Sequence, residues 1–467
     1  MSSTSFWPLP KAWPMGFSWA SYVAQETLLA ILKRAGIGEE LAICGTQPVP
    51  IDLGLVYALA TDDAMLMSDA GPGAATPWVQ SFEREAAAAG AILHEGKNVD
   101  DVLDGTCIGI DLVAGRWWVA PPATAAALLE SAAALAAQPC ASPAAVAGYL
   151  GSLQWLHLLR RPLLSGLGAA YDFARDALDW RRVDVPRRVV TELVVGAVLG
   201  LYWEVDMCRP FLPLLGATDA SLEFGHGAAL AELPVEDLLS ISRLSDKKGE
   251  HVLLSGSELP VEAESRSRAL GQRYRLGLAL ADFEVLFSIR VLDPGHINLE
   301  EERALIRYVH WVLRSPARFG HRIVVLIDSR VVLGGTTKGR SGSAALNKLL
   351  RQVAALTLAG GLLLHLVFVP SAHNPSDPPS RGGPATWPPA LRVGSRYGVE
   401  GGVRAACRAD RAACREHAAR VRALAPLEAA LERYRHAARI LHHDLGSSST
   451  TSSQSSSGLS RSCLFGA

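Results

Sequence analysis

Four acids sit where a sequence can do metal chemistry. "GATDASLEFGHGAAL" (216–230) puts Asp219 on a strand, followed by Gly225 and Gly227. Glycine inside a strand usually permits close backbone approach or a bend. "DPGHINLEEERALIRYVHWVL" (293–313) turns at Pro294-Gly295 and opens a helix with Glu301 in its first turn, flanked by Glu300 and Glu302. Acids there also suit the helix dipole, so the choice of Glu301 within the triplet is one of register. "RIVVLIDSR" (322–330) ends an apolar strand at Asp328, where open α/β sheets tend to carry active-site residues. "VPSAHNPSDPPSRGG" (369–383) places Asp377 in a Pro-rich loop after the next strand. Each acid alone has an ordinary use as a cap, turn or first-turn charge. Four that converge on one sheet edge repel one another and require cations. Oxygen-ligated hard divalent ions are the natural solution, and two of them about 4 Å apart can activate a water and stabilise a leaving oxygen.

The elements that must position these acids are legible around them. "RIVVLIDSRVVL" and "LLLHLVFVP" read as β-branched strands, and between them "AALNKLLRQVAALTLAGG" has helical spacing with a Gly stop. This strand–helix–strand order implies an α/β layer with parallel pairing. It belongs to a zone over 206–390. Before it, 1–118 mixes short helix and strand patterns, and 119–205 is Ala/Leu-rich and helical. The stretch 119–148 reads as a core helix packed closely on its neighbours rather than a membrane-surface helix. After it, 391–445 is an Ala/Arg-rich helical extension, and 446–467 is a Ser-rich tail expected to be disordered.

Bulk properties narrow the field. The chain has 467 residues, room for two to four domains, and 49% of them are hydrophobic, so most of it should fold into cores. The net charge of −1 gives no bulk signal for nucleic acid, so any such partner must be held by local patches. One patch is evident. Arg303, Arg307, Arg314, Arg318, Arg322, Arg330, Lys338, Arg340, Lys348 and Arg351 face only Asp328 between 303 and 351. Within it, "GGTTKGRSGS" (334–343) reads as a polar Gly-rich loop suited to phosphates, with Lys338 and Arg340 and nearby Arg330 as contacts. The rival for this patch is a solvated helix face with a flexible loop. Seven scattered cysteines suggest a reducing, intracellular compartment, cytoplasm or nucleus. No apolar run is long enough for a membrane span, and the N-terminus lacks signal-peptide order. Cys407, Cys414 and His417 offer no fourth ligand and fit one helix face better than zinc. No feature calls for an obligate protein partner.

The order Asp-Ala-Ser, "HIN" with a Glu shortly after, strand-Asp-Ser, "GRSGSAALNKLLR" and "HNPSDPPSR" resembles the ribonuclease H domain of retroelements. The likeness is greatest to tyrosine-recombinase (DIRS-type) retrotransposons, whose domain ends in Asn-x-x-Asp-x-x-Ser-Arg, as Asn374 to Arg381 does here. The resemblance covers about 206–385. It implies an α/β fold, a site for Mg²⁺ (or Mn²⁺) on Asp219, Glu301, Asp328 and Asp377, and cleavage of RNA in an RNA–DNA hybrid. It also implies a His near the position of His373 that assists product release. Two departures stand out: "SELPVEAESRSRALGQRYR" looks inserted, and Arg330 stands where relatives often have Asn.

Upstream, "WPMGFSWASYVAQ" (13–25) resembles a reverse-transcriptase Pro-x-Gly turn leading into a helix. "TDDAML" (61–66) looks like the catalytic hairpin, with Ala60 in place of its usual Tyr. Asp62 and Asp63 therefore resemble half of a polymerase metal site, set in an apolar run where a buried carboxylate would be costly. Gly90, Lys97 and Ile108-Gly109 match the segments that follow, and 149–165 looks like the helical connection. The expectation is a truncated, inactive palm (1–118) and a helical thumb or connection (119–205) before the ribonuclease H-like domain. The alternative function is a decayed or domesticated nucleic-acid-binding protein.

Overall fold

The structure is a computed structural model. It describes residues 19–383, except 46, 52, 62, 94–98, 139, 177–179, 246–250 and 255–272. The expectations for 391–467, for Lys97, for Asp62 and for most of the inserted segment lie outside the described residues. The fold is α+β, with helices and mixed sheets.

The first elements form a small unit. Helix α1 (Ala20–Arg34), the antiparallel pair β1 (Val56–Ala60) and β2 (Asp63–Met67), and helix α2 (Thr76–Ala88) enclose Ile31, Leu32, Ile37, Tyr57 and Ala86. A meander follows: β3 (Gly105–Cys107), β4 (Ile110–Val113) and β5 (Trp117–Val119). The helical zone comprises α3 (Pro122–Ala136), α4 (Pro143–His157), α5 (Gly168–Phe173) and α6 (Arg187–Val198), with short strands β6 (Cys140–Ala141) and β7 (Val183–Asp184) paired. Helix α3 buries Ala125, Leu128, Leu129 and Ala132 in the same core as Leu153 and Leu193. Strand β8 (Glu204–Asp206) returns to pair with β5. The boundaries expected at 118/119 and 205/206 thus fall inside two strands of one sheet. Arg116 clamps Asp206 across it with two 2.8 Å bonds.

The third zone is built on a five-stranded mixed sheet. Its strands are β9 (Phe211–Ala220), β10 (Gly225–Glu232), β13 (Glu284–Arg290), β14 (Arg322–Ile327) and β15 (Leu363–Phe368). Between β10 and β13 stand helix α7 (Val235–Ser242) and the parallel pair β11 (His251–Leu254) and β12 (Arg273–Leu276). The order is β13-β10-β9-β14-β15, antiparallel through β9 and parallel from β9 to β15. Strand β14 is a near-continuous apolar run because both of its faces are covered. Val324 and Leu326 join a core with α7 and β11, whereas Ile323, Val325 and Ile327 join one under helix α8 (Ile297–Val312). That face also carries α9 (Arg330–Lys338) and α10 (Ala344–Ala359). The short helix α11 (Asp377–Ser380) closes the described chain.

The caps explain the helix limits. Ser329 accepts from the Val332 amide and Ser343 from the Leu346 amide, so each satisfies an otherwise unpaired N–H. Gly339 ends α9 at φ +70°, a conformation that favours glycine. One expectation is corrected here. Residues 334–338 are not loop but the second half of α9, and Gly335 and Thr336 are buried. Only 339–343 remain to connect the helices.

Candidate metal centre

Three of the four expected acids meet. Asp219, Glu301 and Asp328 each offer a carboxylate oxygen within 4.8 Å of the others. Asp219 lies near the end of the middle strand β9, Asp328 directly follows the parallel neighbour β14, and Glu301 reaches down from α8. Glu301 is one residue beyond the first turn expected for it, yet it is the member of its triplet that faces the sheet acids. Glu300 instead accepts from the Gly295 amide, meets His226 Nε2 at 2.9 Å and pairs with Arg303. Glu302 is fully buried and accepts from the Thr336 hydroxyl at 3.2 Å.

Electrostatics mark the same three groups. Burial, then the Asp328 charge, pushes Asp219 up to about 7. Burial, then Asp328 and Asp219, pushes Glu301 up to about 9. Burial also raises Asp328, opposed by hydrogen bonds from Ser371 and Asn374. Without a cation, Glu301 therefore keeps its proton at neutral pH. Oxygen Oδ1 of Asp328 is buried without a hydrogen-bond partner. An all-oxygen donor set with an orphaned buried oxygen fits a hard divalent cation, so the triad could hold a metal ion.

The segment 374–381 supports the triad from below. Asn374 donates to the Thr218 carbonyl at 3.2 Å and caps its own turn by accepting from the Ser376 amide. Ser380 donates to Asp219 Oδ2. Gly227 sits opposite Asp219 on β10 and makes this docking possible. A Cβ there would stand 2.5 Å from the Ser380 nitrogen and 2.6 Å from the Ser376 oxygen. Ser380 and Asn374 belong to the quoted motif, but sequence reasoning gave them no role. Nothing in a Ser or Asn type announces which carboxylate it will meet.

Other expected residues are placed differently. Asp377 stands near enough for its charge to raise Asp219, but its carboxylate accepts from Arg381 Nε at 2.9 Å and is not among the converging three. His373 is buried and its Nδ1 accepts from the Leu254 amide on β11. The charges that act on it are those of Arg275 and His251, so it faces the β11–β12 pair rather than the triad. Asp63 is exposed, which removes the burial cost expected for it, and no group of three metal-ligating residues among those described includes it. Arg330, Lys338 and Arg340 are exposed. Two of them are already stacked, Arg330 over Phe368 at 4.8 Å and Arg340 over Tyr171 at 4.7 Å. Arg318 and Arg322 fold inward, onto Trp311 and onto the Met207 carbonyl, so the basic excess is smaller in space than in sequence.

No family model matches the chain, and no curated protein matches it. Among the described residues, no helix is long and apolar enough to cross a membrane.

Proposed function

We propose that this chain is a retroelement-derived, metal-dependent nuclease that cleaves the RNA strand of an RNA–DNA hybrid through Asp219, Glu301 and Asp328. The observation that carries the reading is the convergence of these three carboxylates from positions up to 109 residues apart, on the strands and helix that the motif order called for. The mixed sheet supports it, with acids on the middle strand and just after its parallel neighbour.

Mg²⁺ held there would supply an activated water and charge stabilisation at the leaving 3′ oxygen. The chain's own residues do the rest. Ser380 donates to Oδ2 of Asp219 and so orients that carboxylate. Asn374 anchors the 374–381 turn to β9, and Ser371 and Asn374 favour the charged form of Asp328. Glu301 would hold the cation as a carboxylate, in place of the proton that burial favours. Asp377, now paired with Arg381, would add a fourth carboxylate to the set if it left that partner. Exposed Arg330, Lys338 and Arg340 grip phosphates, and the 2′-OH selects RNA. In this reading, the N-terminal 205 residues derive from the reverse transcriptase that precedes ribonuclease H in such elements.

The pairing of Asp377 with Arg381 favours a second reading, a domesticated nucleic-acid binder in which the fourth ligand has been withdrawn. One experiment separates them. The full chain is incubated with labelled hybrid, duplex DNA and duplex RNA, in Mg²⁺ or EDTA. The nuclease reading expects cutting of the RNA strand of the hybrid in Mg²⁺ alone. Hybrid binding without metal-dependent cutting would favour the binder.

A further inference from the structure

Helices α8 and α10 pack through Ile306, Leu349 and Val353, and an opening lies against that contact. The opening is a groove of about 580 Å³ floored by Leu299, Ile306 and Leu349. Its walls carry Arg303, Arg307 and His310 from α8 and Lys348 from α10, and among the described residues no carboxylate lines it. Arg303 is held at the rim by Glu300. Among the described residues, Arg307 and Lys348 show no acidic side chain within ion-pair distance. Like charges from two helices therefore face one concavity over an apolar floor. Such a floor weakens screening and focuses the positive field into the groove.

We propose that this groove binds a phosphodiester backbone at a site separate from the metal centre. Helical geometry provides the separation. At about 100° per residue, Arg303, Arg307 and His310 project roughly opposite to Glu301, so the body of α8 stands between groove and triad. From Arg303 to His310 these residues span about 10 Å of helix, the length of about three nucleotides at ~3.4 Å rise per strand. An isolated phosphate would engage one or two of these cations, whereas a strand engages all of them. Identifying the polyanion as nucleic acid rests on the functional reading above. The groove thereby adds a second hold on the same molecule, which would keep a long substrate engaged while its cut portion leaves.

The test uses the full chain in EDTA, with a fluorescent RNA–DNA hybrid of about 20 base pairs read by anisotropy across a salt series. Wild type is compared with the double variant Arg307→Ala/Lys348→Ala and with the conservative Arg307→Lys/Lys348→Arg. Thermal melts check that all three are folded. The proposal expects the alanine pair to lose affinity about tenfold or more and its log–log salt slope to fall by about 2, with the conservative pair retaining both. Unchanged affinity and slope would overturn the groove, as would a wild-type chain that binds no nucleic acid. Polyglutamate that displaces the hybrid with the same dependence on Arg307 and Lys348 would reassign the groove to an acidic protein and overturn the proposal. Metal-dependent cutting with no groove effect sinks the groove alone. Groove-dependent binding without cutting sinks the nuclease reading alone.

Discussion

At the scale of single residues, the triad's protons are the most telling feature. Asp219 and Glu301 hold theirs up to about 7 and about 9, against 3.8 and 4.5 for the ordinary groups. Raised carboxyl values mean that, across this window, the folded chain binds more protons than the unfolded one. Its stability is then greatest at low pH within the window and falls as pH rises toward the folded values. In EDTA, the melting temperature should therefore drop between about pH 5 and about pH 9. Mg²⁺ should reverse much of the drop by replacing the proton, and Glu301→Gln should flatten the profile. A metal-free melting temperature that stays level or climbs over that range would remove the premise that these groups are stressed. Glu300 behaves in the opposite way: burial works against its charge, but the Gly295 amide, His226 and Arg303 hold it below the usual range. Neighbours in one triplet thus do different jobs because a helix turns each to a different side.

At the scale of elements, the fit of α11 against β10 decides whether Asp219 is oriented. Gly227→Ala would drive a Cβ into the Ser376 and Ser380 backbone, which cannot yield as a flexible side chain would. We expect a loss of about 1–3 kcal/mol of stability from overpacking and about tenfold lower cleavage as Ser380 leaves Asp219. Ser380→Ala should give the activity loss with little change in melting, which separates positioning from packing. Full activity in both variants would show that the 374–381 turn does not position the acid. Much of this was legible beforehand. The β-branched run to Asp328, the Pro294-Gly295 turn before α8 and the glycines after Asp219 each follow from local chemistry. Residues 334–338 are helical although two glycines and two threonines suggest a loop, because Thr336 finds a buried partner in Glu302 that only tertiary packing supplies; 339–343 connect the helices as expected. The pairing of Asp377 with Arg381 follows from i,i+4 spacing, but it becomes visible only once α11 is known to be helical. Asp63 looked buried because its neighbours are apolar, yet it opens an exposed end of β2.

At the scale of the whole molecule, the zones are not independent beads. The 158–166 segment of the helical zone packs on the sheet zone. Arg160 is buried there and directs Nη2 at the Leu362 carbonyl at 3.5 Å, while Arg161 reaches the Thr337 carbonyl. A Cβ on Gly339 would fall 1.8 Å from the Arg161 oxygen, so the turn after α9 is fitted to this contact. That contact holds the far end of α9, which continues from Asp328, and the start of the edge strand β15 beside β14. The central claim is therefore best tested on the full chain, not on an excised 206–390 fragment. The most direct measurement is the chemistry of the RNA ends produced from a hybrid in Mg²⁺, for wild type and Asp328→Asn. Water attack with loss of the 3′ oxygen leaves 5′-phosphate and 3′-hydroxyl ends, whereas metal-free attack by the 2′-OH leaves a 2′,3′-cyclic phosphate and a 5′-hydroxyl. We expect 5′-phosphate ends from wild type and a rate about 10²-fold lower or less for Asp328→Asn, as loss of several kcal/mol of transition-state stabilisation requires, with hybrid binding retained. Cyclic-phosphate ends, or cutting undiminished in Asp328→Asn, would contradict the account.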